Sequence, residues 1–157
     1  MADGARGGWL APHFDDTDHP LVRMTFTGSA GPRDHIAFMA RVEALVATGE
    51  RFVLVLDEGM AHALSTAGSW HLLPWALRWR RHLRRTCAAV AVTMTQATLP
   101  RAGRATRAIA CLIPAPLAIF METAMAEQWV HSRLVPAPVI VRPALVPSRG
   151  IDRQRES

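Results

Sequence analysis

The sequence has no lysine, no tyrosine and only two cysteines. Cys87 and Cys111 are too few for the disulfide framework of a small secreted scaffold. Both sit among apolar residues, as buried free thiols do. No CxxC or Cys/His spacing suggests zinc. No apolar run approaches the roughly 18 residues that a membrane-spanning helix needs. The longest, at 52–56 and 88–92, are strand-sized. Residues 1–8 lack the apolar core of a secretory signal, so a cytoplasmic setting is expected. There is no phosphate loop either: "GSAGPRD" (28–34) has neither the Walker lysine nor the GxGxxG spacing and reads as a turn. The aromatics are not interleaved along strands as a base-stacking platform requires. No helix-turn-helix, RRM or KH pattern is present.

What the chain does have is apolar content and arginine. Half of its 157 residues are apolar, enough for one domain with a real core. All eighteen basic residues are arginine, and the net charge is +5. Arginine forks grip carboxylates and phosphates at two points. An acidic protein partner therefore fits the composition, and nucleic acid has to be weighed.

Residues 1–8 are small and glycine-rich and read as a disordered tail. A first edge strand and turn are expected within 9–18. In "LVRMTFTG" (21–28) apolar and polar residues alternate, which argues a strand with one buried face. Asp34 is placed to cap a helix over 34–48, with Ile36, Met39, Ala40, Val42, Leu45 and Val46 as its apolar stripe and Gly49 as its stop. The continuous apolar run at 51–58 predicts a strand buried on both faces. Residues 59–69 read as a loop and 70–85 as a second helix, with Pro74 in an early turn. Another buried strand follows at 87–94, then a third helix at 99–112, a short strand at 116–121 and a last helix at 123–134. Residues 135–157 are rich in proline and arginine and read as a tail. The expected fold class is α/β, with a single domain over 9–134. Its sheet should be mostly parallel, with four to five strands covered by about four helices.

Three stretches carry a likeness. "FVLVLDE" (52–58) is similar to a central strand ending in acid. "STAGSWHLLPWALRWRR" (65–81) is placed like a DSSGL helix start. "PLAIFMETAMAEQWV" (116–130) is similar to a closing strand and helix, with Phe120, Glu122, Ala126 and Trp129 at the patterned places. Together they resemble the SpoIIAA-like (STAS) family of bacterial regulatory domains over roughly 20–134. The resemblance implies a domain that binds a partner, in classical members with a serine phosphorylated at that helix start. Ser65, Thr66 and Ser69 lie near the matching place. Leu64 stands where the family has an acidic residue, so the scaffold role is implied more directly than the switch.

The segment 70–85 concentrates Trp70, Trp75 and Trp79 with Arg78, Arg80, Arg81, Arg84 and Arg85. Tryptophan and arginine are the residues enriched at interface hot spots. Arg101, Arg104 and Arg107 step along the next helix and extend that basic face. The bland alternative is that the tryptophans are core and the arginines a solvated surface. A membrane-surface role for the helix is a further option. An enzyme or ligand-carrier reading would use Asp57, Glu58, His62 and His71 near a strand's C-terminal end, where ligands gather in α/β sheets. His13, Asp15, Asp16, Asp18 and His19 form a denser cluster that reads as a solvated loop before a metal site. The sequence thus predicts a non-catalytic protein-interaction module that regulates or scaffolds a partner. Its contact residues are expected to be Ser65, Thr66, Ser69, Trp70, Trp75, Arg78, Trp79 and Arg81. No cofactor or metal is expected. The partner is another protein, either one with an acidic surface or a second copy of this chain, and nucleic acid is disfavoured.

Overall fold

A computed structural model of the chain describes residues 12–27, 31–65, 72–100, 110–111 and 113–135. Five strands form one sheet in chain order: β1 (His13–Asp15), β2 (Leu21–Thr25), β3 (Phe52–Leu56), β4 (Cys87–Thr93) and β5 (Leu117–Phe120). Edge strand β1 is antiparallel to β2, and the other pairings are parallel. The helices are α1 (Pro32–Ala47), α2 (Glu58–Ser65), α3 (Leu72–Thr86) and α4 (Thr123–Leu134). The molecule is thus α/β with a mostly parallel mixed sheet, as the alternation of buried strands and amphipathic helices predicts. No helix among the described residues is long and apolar enough to cross a membrane. Most of the expected third helix and of the two tails lies outside the described residues.

The pleat sorts each strand's side chains onto two faces. Val22, Met24, Phe26, Phe52, Leu54, Leu56, Val90 and Val92 point toward α1, α2 and α3. Leu21, Val53, Val55, Ala89 and Ala91 point to the other face, which packs Ala126 and Val130 of α4. The alanines of β4 leave room for that helix to sit close against the sheet. Parallel crossovers that all run in the same direction with one hand place successive helices on one side, which explains why α1 through α3 share a face.

Two local expectations are corrected. Asp34 does not cap α1. Gly31 is the N-cap, Pro32 opens the helix where its missing N–H is no loss, and Asp34 reaches back to accept the Gly31 N–H at 2.6 Å. The core face of α1 is Phe38, Val42, Leu45 and Val46, whereas Ile36 is 58 % exposed. Asp34 and His35 are buried with them, and His35 Nε2 lies 2.8 Å from the Ala63 carbonyl oxygen, joining α1 to α2. Gly49 ends the helix as expected, at φ +73°, with its N–H on the Val46 carbonyl. The second correction concerns 59–69. Its first part, through Ser65, belongs to α2 and is no loop.

Candidate functional site

Helix α3 contains no acidic residue and five arginines between 78 and 85. Leu72, Ala76, Leu83 and Thr86 are buried and fix which side meets the sheet. Trp75 and Trp79 lie on that same side, half-buried against the core. Trp75 is held from two directions. Its Nε1–H donates to Glu43 Oε1 at 2.8 Å, and its ring meets Phe38 edge-on at 6.0 Å. Trp79 meets the His82 ring at 5.4 Å. The tryptophans therefore anchor α3 to α1 and the core, and what α3 turns to solvent is different.

The solvent side holds Leu73 and Leu77, 42 % and 58 % exposed, followed by Arg80, Arg81 and Arg84. Arg78 and Arg85 flank them and are exposed as well. None of the ion pairs among the described residues involves these arginines. Arg84 and Arg85 in the last turn favour the negative end of the helix dipole. That accounts for two of the five and leaves Arg78, Arg80 and Arg81 without an ion pair among the described residues. Of the other expected contact residues, Ser65 is the last residue of α2. Thr66, Ser69 and Trp70 lie outside the described residues, as do Arg101, Arg104 and Arg107.

Of the alternative catalytic grouping, Asp57, Glu58 and His62 lie among the described residues. Asp57 follows β3 and caps α2: its Oδ1 accepts the Met60 N–H at 2.7 Å, and both carboxylate oxygens accept the Phe26 N–H at 3.2 Å. Burial pushes its pKa up, against the lowering effect of those hydrogen bonds. His62 lies on the exposed side of α2, and His71 lies outside the described residues. Glu58 turns to a different set of donors, the hydroxyl of Thr98 at 2.6 Å and the N–H and hydroxyl of Thr95 at 3.1 and 3.2 Å. The Thr98 hydroxyl, first among these contacts, holds the Glu58 carboxyl below the usual range. These bonds tie the start of α2 to the segment after β4.

The acidic stretch near the N-terminus is engaged by the protein's own arginines. Arg23 reaches Asp18 and Glu127, each at 2.7 Å, with Asp15 at 3.7 Å, and Arg41 pairs with Asp16. Among the described residues no three His, Cys, Asp or Glu side chains converge as metal ligands would. One feature escaped the sequence reading. An open groove of about 350 Å³ at the C-terminal end of β5 is lined by Leu99, Ile119, Phe120, Met121, Glu122 and Met125. The exposed Met121 and Met125 flank a strand–helix junction whose residues the apolar pattern assigns to structure. No family model, curated protein or solved structure matches this chain.

Proposed function

We propose that the chain is a non-catalytic interaction domain that regulates or scaffolds a partner protein, as the SpoIIAA-like (STAS) domains it resembles do. The docking surface is the outward face of α3. The observation that carries this reading is the run of exposed arginines on α3, flanked by Leu73 and Leu77, without an ion-pair partner among the described residues. Arginine and apolar side chains on one rigid helix are the composition of a recognition surface. Asp57 favours binding over acid–base chemistry at the strand end, because its oxygens already hold backbone donors. The sheet, with strands in chain order and one antiparallel edge, is compatible with the resemblance.

A photo-cross-linking residue placed at Arg81 tests the reading, with Gln128 on the exposed side of α4 as the comparison. Position 81 should give a discrete protein adduct in cells and position 128 should not. An adduct between two copies would identify self-association as the interaction. No adduct from position 81, or the same diffuse ladder from both positions, defeats the proposal.

A further inference from the structure

We infer that the partner presents an acidic amphipathic helix to α3, an inference that rests on the docking reading above. The 3.6-residue period places Leu73, Leu77, Arg80, Arg81 and Arg84 within an arc of roughly 100°, on the side opposite Trp75, Trp79 and Leu83. The stripe runs for roughly 17 Å, about three helical turns. It is polarised along the axis, with two leucines one turn apart at the start and three arginines over the following turns.

Each part of that stripe has a matching requirement. Leu73 and Leu77 are the large apolar side chains that α3 leaves to water. Covering them takes apolar side chains one turn apart on the partner. The arginines present planar forks at helical spacing, which carboxylates on successive turns meet in two-point fashion. A second helix laid along α3 supplies both in a single rigid element. A duplex backbone matches the arginines and leaves the leucines against phosphate and water. A membrane surface needs a broad apolar face for insertion, and α3 has already committed Leu72, Ala76 and Leu83 to the core. Glu43, the acid that touches α3, accepts the Trp75 Nε1–H, and Asp15, Asp16 and Asp18 are engaged by Arg23 and Arg41, so among the described residues no acid pairs with the α3 arginines and the complementary charge is assigned to a partner.

The test uses the full chain and a stapled helical peptide of about 16 residues. The peptide has two leucines one turn apart, then three glutamates at the spacing of the arginines. It should bind at low ionic strength and weaken steeply with salt. Changing the three glutamates to glutamine should raise Kd at least about tenfold, and so should the protein variant R80Q/R81Q/R84Q. Leu77→Ser should raise it several-fold. Circular dichroism and an unchanged or higher Tm would show that the variants are folded. Tighter, salt-sensitive binding to duplex DNA or to vesicles of phosphatidylcholine and phosphatidylserine overturns the acidic-helix inference. So does peptide binding that the triple variant leaves intact. If the peptide fails while a cross-linker at Arg81 still captures a protein, the partner's chemistry is wrong and the docking face stands. If both fail, both are wrong.

Discussion

Asp57 and Gly59 show how closely single residues at the β3–α2 junction are specified. Asp57 Oδ1 receives the N–H groups of Met60 and Phe26, so one atom caps α2 and closes the end of β2. Asp57→Ala should lower stability by about 1–2 kcal/mol, whereas Asp57→Asn, whose oxygen takes the same bonds, should stay within about 0.5 kcal/mol. Burial raises the Asp57 pKa above its ordinary 3.8. The folded state thus holds this proton more tightly than the unfolded chain. The stability from that difference is fully present below pH 3.8 and is lost as the pH rises through the raised value. Urea unfolding across that window should show wild type losing ground to Asp57→Asn, and parallel profiles would refute the effect. At Gly59 a Cβ would collide with the Phe26 carbonyl oxygen and lie 3.0 Å from its carbon. Gly→Ala in a helix ordinarily stabilises by up to about 1 kcal/mol. Here the backbone contact should reverse the sign, and Gly59→Ala should lose more than about 2 kcal/mol in the same assay. The sequence marks this glycine only as a loop former, since nothing local reveals that the Phe26 carbonyl, just past β2, passes beside it.

Among the elements, α3 and α4 depend on opposite uses of arginine. Arg23 projects from β2 toward α4 and binds Glu127, which is partly shielded from water, and the exposed Asp18. These partners raise its already high pKa, with the Glu127 bond first. A double-mutant cycle on Arg23→Ala and Glu127→Ala should return a coupling of about 1–2 kcal/mol, and a value near zero would remove the tether. In α3 the arginines meet one another instead. Arg80 with Arg84, and Arg81 with Arg84 and Arg85, are like charges three or four residues apart, each pair destabilising by about 0.2–0.5 kcal/mol. Arg81→Glu should therefore raise Tm by a degree or two in low salt while abolishing partner capture. Added salt should raise the Tm of wild type more than that of the variant. The docking role proposed above would account for a surface that weakens its own helix. The pattern of α3 was legible in part. Its helix and its charges were plain in the sequence. Which side the tryptophans took was not, because Trp75, Trp79, Leu73 and Leu77 are all apolar and only the contacts with Phe38 and Glu43 decide between them.

For the whole molecule, the strands were the readable part. Alternation in 21–27 marks the face of β2 under α1 to α3 but not Leu21, buried on the other face, while unbroken apolar runs at 52–56 and 87–92 mark two-faced burial directly. Helix phase was harder, as Ile36 and Phe38 on α1 show, since two neighbouring apolar residues offer two stripes and the sheet selects one. The short α2 was unreadable, because two turns give too little periodicity to stand above a glycine and a serine. The candidate surface was visible as composition and required the fold to give it an orientation. The order of strands in the sheet has a consequence for biosynthesis. Each strand lies beside the one made just before it, so a nascent chain adds every new strand to an edge already standing. Among the described residues no strand has to slide between two neighbours, so the topology sets no insertion step in the way of assembly in chain order.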